Sequence, residues 1–408
     1  MLLKKMIPAI VLSSHNIGLA VIRALGIRGV PVFVMYYDNK DMGYVSKYVK
    51  EYVRVPHPGK SEEQFVDALI SHADRFGHGI LFPADDATLT AVSRHKKALA
   101  AHYIVAAVGS EIAEKFLVKK HTYAIAEQIN IPVPRTLVPR SLDDLEARRN
   151  EIEFPCLIKP CQSHLYVEHF GRKMTKVANY DQLAAAFKEA ERIGLEVMVQ
   201  ELIPGDDAKG VNYNSYFWNG LPLAEFTAEK VRLSPPGFGI PRVVVSKDVP
   251  EIVESGRRLL NAIGFQGYSC TEFKKDARDN RYKLMEVNGR HNRSALLAVR
   301  CGVNFPWIEY NHLAGNGVAL FRRPQQGTFW IDEFKDVVDT VHYAREERYS
   351  LNEYVRPYMR PHVFATFDRK DLKPFFKRCV TVMGIGLKKA GALLKKRTDF
   401  HQPPDGHL

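Results

Sequence analysis

The first third of the chain alternates strand-like and helix-like segments at a spacing that suits a parallel sheet with crossover helices. Apolar Ala9 to Leu12 leads through Ser13-Ser14-His15-Asn16-Ile17-Gly18 into a helical pattern at Leu19, Ile22 and Leu25. Gly26 and Gly29 close that helix, and Val30 to Tyr36 reads as a second strand. Strand, turn, helix and strand within about 30 residues make one βαβ unit, whose crossover is right-handed. Ala68 to Ala73 is expected to be helical, and Gly79 to Pro83 to be a further buried strand ahead of Asp85 and Asp86. The fold class is therefore α/β, opening with a Rossmann-like parallel sheet over residues 1–112. Its first turn carries a single glycine, so the dinucleotide fingerprint is missing and a nicotinamide dehydrogenase is not expected.

A helix is expected from about Glu111 to Asn130, ended by the two prolines of Ile131-Pro132-Val133-Pro134, which force an extended exit. Strands follow at Phe154 to Pro160, Glu196 to Leu202, Tyr213 to Trp218, Gly267 to Lys274 and Tyr282 to Val287, with helices at Asp181 to Ile193 and Val249 to Ile263.

Composition narrows the function. The 408 residues are 46% apolar and 25% charged, which is the balance of a globular protein with a large core. No run approaches the roughly 18 apolar residues of a membrane span. Ile7 to Leu12 is too short for the apolar region of a signal peptide. An odd set of cysteines (Cys156, Cys161, Cys270, Cys301 and Cys379), none two apart, reads as reduced thiols in a cytoplasmic protein. The net charge of +12 is concentrated. Between Arg369 and Arg397 stand ten Lys or Arg against Asp371 alone, so the bulk of the chain is only mildly basic. A nucleic-acid partner is therefore not expected.

Three segments carry chemistry. Lys159 ends an apolar strand between Ile158 and Pro160, where a partly desolvated ammonium suits a phosphate; a lysine that snorkels from a strand end is the alternative. Gln200-Glu201-Leu202-Ile203-Pro204-Gly205-Asp206-Asp207 offers backbone groups to a purine edge and acids to ribose hydroxyls. Cys270-Thr271-Glu272-Phe273-Lys274 and Leu284-Met285-Glu286-Val287-Asn288-Gly289-Arg290 read as paired strands. Alternation puts Glu286 and Asn288 on one face, and Glu272 can reach it. Two carboxylates and an amide oxygen form a hard-oxygen set suited to Mg²⁺, a solvated hairpin face being the alternative.

In this order the motifs resemble the ATP-grasp superfamily, in particular its carboxylate–amine ligases, the group that includes D-aspartate ligase, from about Pro8 to about Arg378. The resemblance implies an ATP-grasp domain over 113–318, α+β in character, with two subdomains that clamp ATP. A C-terminal extension over 319–408 follows. Lys119 resembles the first ATP-binding lysine, with Lys115 and Lys120 close enough to compete, and Lys159 resembles the second. Gln200, Glu201, Leu202 and Ile203 resemble the adenine-contacting linker, with Asp206 or Asp207 at the ribose. Glu272, Glu286 and Asn288 resemble the metal ligands, for Mg²⁺ with Mn²⁺ as an alternative, and Arg290 and Lys230 are the implied catalytic residues. Lys230 and Arg232 together resemble a basic pair that faces the phosphates or the acyl substrate, a solvated strand face being the alternative. One departure is that no glycine-rich loop follows Lys159, which leaves Ser163, His164, Arg172 and Lys176 as candidates to cover the phosphates.

The activity so implied is ATP-dependent ligation of a small-molecule carboxylate to an amine through an acyl phosphate, with release of ADP and phosphate, on an amino-acid-type substrate. Non-catalytic ATP binding in regulation and a biotin-dependent carboxylase are the alternatives. His15, Asn16, Asp85 and Asp86 at strand ends are candidates for the substrate cleft, each with a capping or turn role as its alternative. In the tail, Leu387, Ala390 and Leu394 share a face, with lysine pairs on the other. Residues 373–397 are thus a candidate for peripheral contact with an anionic membrane and for a lipid-linked substrate, against a surface helix packed on its own domain. A homodimer is the commonest symmetric assembly.

Overall fold

Strand β1 (Ala9–Leu12) is apolar at every position because both of its faces are covered, as the centre of a parallel sheet requires. It lies between β2 (Val32–Tyr36) and β4 (Ile80–Pro83), with β3 (Val49–Arg54) and β5 (Ile104–Val105) at the edges, in the order β3-β2-β1-β4-β5 and parallel throughout. The helix Asn16–Gly26 begins directly after β1, and His15 Nδ1 caps it by accepting from the Ile17 amide. The lone glycine of this turn serves a close approach, since a Cβ on Gly18 would stand 2.2 Å from the Ser13 carbonyl oxygen. The helix expected near Ala68 starts earlier and runs Glu62–Ser71. The structure is a computed structural model that describes residues 6–161, 166, 169–172, 174–237, 239–317, 324–347 and 349–384.

The single helix expected from Glu111 to Asn130 is two helices, Ser110–Leu117 and Lys119–Gln128. Val118 between them is extended (φ −99°, ψ 101°), and the Lys119 amide bonds to the Cys161 carbonyl at 3.2 Å. No glycine or proline marks this break, so the sequence carries no helix breaker to reveal it.

A four-stranded antiparallel sheet follows, ordered β6-β9-β7-β8: β6 (Thr136–Leu137), β7 (Cys156–Pro160), β8 (Thr175–Val177) and β9 (Val197–Glu201). Leu183, Phe187 and Ala190 of the helix Tyr180–Arg192 cover the Cys156 and Ile158 face of this sheet. The opposite face, with Leu157 and Lys159, looks away from that core.

The third sheet has seven strands in the order β14-β13-β10-β11-β12-β15-β16. These are β10 (Gly210–Trp218), β11 (Leu221–Ser234), β12 (Ile240–Ser246), β13 (Gly267–Lys275), β14 (Tyr282–Asn288), β15 (Phe329–Ile331) and β16 (His362–Phe364). Only the β15–β16 pair is parallel. The stretch expected as a C-terminal extension thus supplies two strands to the central sheet. It is also tied to the first helix, where buried Arg23 donates to Asp371 Oδ2 (3.0 Å) and to the Thr366 carbonyl (2.8 Å). Among the described residues, no helix is long and apolar enough to cross a membrane. Leu387, Ala390 and Leu394 lie outside the described residues.

Candidate active site

Phe273 and Val287 turn into one core of the seven-stranded sheet, so alternation leaves Glu272, Glu286 and Asn288 on the other face; Leu284 joins the same core because a register shift at Met285 interrupts the alternation. Glu272 stands directly opposite Glu286 across the β13–β14 ladder, and Cys270 opposite Asn288. Two carboxylates in facing positions repel unless cations join them. The cations are Lys119, which donates to Glu286 Oε1, and Lys230, which donates to Glu272 Oε2. Burial would push both ammonium groups down, but the neighbouring carboxylates outweigh it and hold each above its ordinary value. Asn288 reaches Glu272 Oε1 at 3.5 Å, and Arg290 Nη2 donates to Asn288 Oδ1 at 3.2 Å. Gly289 is needed between them, because a Cβ there would meet the Phe116 ring at 2.4 Å.

The helix break explains how Lys119 arrives. Lys119 is the first residue of its helix, and Tyr123, one turn on, bonds the Met285 carbonyl at 2.8 Å, fastening that helix to β14. The two competing lysines are engaged elsewhere: Lys115 with the Ile263 carbonyl (3.0 Å) and Lys120 with Glu196 (2.7 Å).

On the four-stranded sheet Lys159 is almost fully buried and donates to Gln200 Oε1 at 2.6 Å, and Gln200 Nε2 donates in turn to Thr136 Oγ1 at 2.9 Å. Gln200 has no exposed surface. Expected as part of an adenine-contacting linker, it turns its side chain to Lys159 instead. Lys176 of β8 and Gln200 both pair with Leu157, so they share the face that carries Lys159, and Lys176 is exposed. Glu201 accepts from the Arg135 amide (2.9 Å), Lys283 (2.7 Å) and Arg278 (2.8 Å). Burial would raise its carboxyl, and these donors pull it below the ordinary value. Leu202 is half-buried and Ile203 buried at the exit of the strand.

Asp206 is exposed, whereas Asp207 turns inward and accepts from the Leu233 (2.9 Å) and Gly237 (2.6 Å) amides, so it holds a turn and Asp206 is the one of the two that faces solvent. Arg232 is a further correction. An extra residue in β11 between Lys230 and Arg232 shifts the register, which re-aims the second cation. Arg232 is 1% exposed and grips Asp336 through Nε (2.9 Å) and Nη2 (2.7 Å), away from Glu272. Arg172 is exposed beside the Phe170 ring, and Ser163 and His164 lie outside the described residues.

The ends of β1 and β4 open beside this hairpin. Arg290 forms a bidentate pair with Asp86 (2.8 and 3.1 Å), linking the parallel sheet to the metal-type residues. Asp85 caps the helix Asp86–Arg94 and takes the Tyr37 hydroxyl at 2.6 Å, with His15 at 3.6 Å, so Asp85 has the capping role. Asn16 donates to buried Asp332 at 3.0 Å, and Arg293 reaches the same carboxylate at 2.8 Å. Arg293 could have been noticed three residues beyond Arg290. No sequence signal pointed to Asp332, or to Lys283 and Arg278 around Glu201.

Beside Asp332, burial pushes the Glu333 carboxyl up to about 7, while the Thr366 and Phe367 amides hold it in place. The folded chain binds this proton more tightly than the unfolded chain, so stability falls as pH rises from the ordinary value of 4.5 through 7. Glu333→Gln removes that fall. Thermal melts from pH 5 to pH 8 are expected to diverge in favour of the variant as pH rises; parallel curves would exclude the assignment.

Among the described residues no three His, Cys, Asp or Glu gather as a metal cluster. The hairpin offers two carboxylates and one amide oxygen, a donor set that fits a hard divalent cation sharing its coordination with phosphate oxygens.

No family model matches the chain. It is 26% identical over 251 residues to D-aspartate ligase of Enterococcus faecium, covering 57% of this chain and 58% of that protein. It is also 26% identical over 184 residues to D-alanine–D-alanine ligase of Ectopseudomonas mendocina, covering 42% and 54%. Among solved structures, L-amino acid ligase from Bacillus licheniformis superposes with a TM-score of 0.60 at 17% identity, covering 77% of each chain. The chain has the ATP-grasp fold. Biotin carboxylase from Campylobacter jejuni shares the ATP-grasp fold too, with a TM-score of 0.63 at 15% identity over 77% of this chain and 72% of that one. The chain spans a little over half the length of the curated relatives it matches.

Proposed function

We propose that this chain is an ATP-dependent ligase that joins a carboxylate to an amine, on an amino-acid-type substrate. The observation that carries this reading is the pair of lysine–carboxylate contacts, Lys119–Glu286 and Lys230–Glu272, on one hairpin face beside Arg290. Phosphate and metal sites are thereby interleaved, as phosphoryl transfer needs. Glu272, Glu286 and Asn288 would hold Mg²⁺, or Mn²⁺, which neutralises phosphate charge when bound. Lys119 and Lys159 hold the phosphates and Lys176 covers them, while Glu201, Leu202 and Ile203 meet the base and Asp206 the ribose. Arg290 and Lys230 are the catalytic cations. They balance charge while the substrate carboxylate forms a bond to the γ-phosphorus and ADP leaves with its electron pair. The amine then bonds to the acyl carbon, phosphate departs, and the amine gives up a proton. The names of the relatives support an amino-acid-type substrate.

The test is ADP release from ATP and Mg²⁺ with pooled amino acids and small carboxylates. Pool-dependent ADP is expected; nucleotide binding without ADP release would favour a regulatory ATP-binding protein. A second outcome follows from the interleaving. Metal alone must draw carboxylates from ammonium groups, and nucleotide alone meets two carboxylates, so the two ligands bind best together. ADP is expected to bind about tenfold or more weakly in chelator than in Mg²⁺ by calorimetry, and equal affinities would contradict the shared site.

Residues 373–384 form a helix that leaves Phe376, Val380 and Met383 exposed beside Lys373 and Lys377. This supports peripheral contact with anionic membranes. Vesicle co-sedimentation is expected to drop for the double variant Phe376→Ser, Val380→Ser, and equal pelleting would remove the idea.

A further inference from the structure

The cluster beside Arg290 carries more positive charge than its partners balance. Arg290 is paired with Asp86, but Arg293 and Arg378 share Asp332, at 2.8 and 3.9 Å, so three guanidiniums face two carboxylates. Asp332 has no exposed surface, and Asn16 is occupied on both sides: it donates to Asp332 and accepts from Arg378 Nη1 at 3.4 Å. The other acids nearby are committed, Glu286 to Lys119, Glu333 to the Thr366 and Phe367 amides and Asp85 to Thr88, Tyr37 and His15. Arg293 and Arg378 each keep a buried Nε–H with no acceptor among the described residues. Their side chains are still 26% and 23% exposed, so solvent reaches part of each. Burial, together with the neighbouring Arg378 and Arg290 charges, weakens the proton affinity of Arg293 despite Asp332, as expected of crowded cations.

Arg378 is brought here by the C-terminal segment. The helix 373–384 is anchored through Asp371 to Arg23, Ser46 and Lys47, and Arg378 lies 5.7 Å from the centre of the Phe334 ring. Two guanidiniums from distant parts of the chain are thus held side by side at the ends of β1 and β4, next to the residue proposed to balance the transferred phosphoryl group. Such a fork recognises a planar carboxylate or a phosphate.

We infer that Arg293 and Arg378 form an anion-recognition site, for a carboxylate or phosphate group that the substrate carries in addition to its reacting carboxylate. This rests on the ligase reading and names its substrate class: an acid with a second anionic group. Both arginines are specificity-determining residues, and Asp332 with Asn16 positions them.

The full-length protein is tested for ADP release with charge-matched probes: aspartate against asparagine, glutamate against glutamine, and phosphoserine against serine. The anionic member is expected to be preferred, and comparison of the carboxylate and phosphate arms identifies the group. Arg378→Gln is expected to raise KM for the anionic probe by about ten- to a hundredfold, leaving KM for its neutral partner and the affinity for ADP unchanged. Arg378→Lys, which keeps the charge and loses the fork, is expected to fall between. Equal use of charged and neutral probes, or equal KM shifts for both, would overturn the anion site while leaving the ligase standing. If no probe elicits ADP, the ligase reading is what fails. The same probes are then titrated calorimetrically against the ADP–Mg²⁺ complex: charge-selective binding lost in Arg378→Gln upholds the site, and its absence overturns it.

Discussion

Replacing Glu286 with glutamine is expected to lower ADP formation by about 10²- to 10³-fold, with the fold retained. The argument starts from charge. Glu286 and Glu272 face each other on adjacent strands, and Lys119 and Lys230 compensate them in the free protein. When a metal–nucleotide complex arrives, the ammonium groups are suited to phosphate and the carboxylates to metal, so the same four side chains exchange partners. Glutamine keeps an oxygen that accepts from Lys119, but it removes the negative charge that binds the cation. Melting temperature should therefore change by no more than a few degrees while turnover collapses. A folded Glu286→Gln protein that releases ADP at the wild-type rate would remove this hairpin from the active site.

The largest loss of stability is expected at Asp336, which no part of the proposed chemistry uses. Its carboxylate has no exposed surface and accepts from Arg232 twice and from the Tyr358 hydroxyl at 2.7 Å, with Arg242 Nε at 3.6 Å. Arg232 and Arg242 are themselves 1% and 0% exposed. Asp336→Ala leaves Arg232 without its carboxylate in a place water does not reach. Breaking a buried pair in this way costs about 3–5 kcal/mol. Urea denaturation should register that loss as a lower midpoint with an unchanged slope. A joint Arg232→Met, Asp336→Leu replacement should recover much of it, because the stranded charge goes with its partner. A loss below about 1 kcal/mol for Asp336→Ala would mean that the guanidinium finds water or another acceptor.

The contrast between Lys230 and Arg232 defines how far the sequence could be read. Two residues apart on a strand, they read as one basic pair on one face. The extra residue in β11 sends one to Glu272 and the other into a buried ion network. A bulge is a property of two strands in register, and neither strand announces it alone. Asp206 and Asp207 diverge for a related reason, since the second is drawn inward by amides of Leu233 and Gly237 about thirty residues away. Gln200 and Lys159, forty-one residues apart, become one unit only when β7 and β9 pair.

The sequence by itself determined what local periodicity and residue chemistry can carry. It specified the βαβ opening, the β13–β14 hairpin with Glu272, Glu286 and Asn288 on one face, the strand-end lysine, and the ordered motifs that resemble the ATP-grasp superfamily. Each depends on contacts within a strand, a turn or a pair of neighbouring strands, where alternation and turn residues suffice. Only the tertiary structure decided which lysine meets Glu286, because that follows from a helix break stabilised by the distant Cys161 carbonyl. It also decided that Asp86 pairs with Arg290 and that Arg378 joins Arg293 at Asp332, contacts spanning 204 residues in the first case. Long-range charge pairing is set by how sheets and helices pack. A solvated side chain and a buried partner look identical in one dimension, and they differ only once the chain has folded around them.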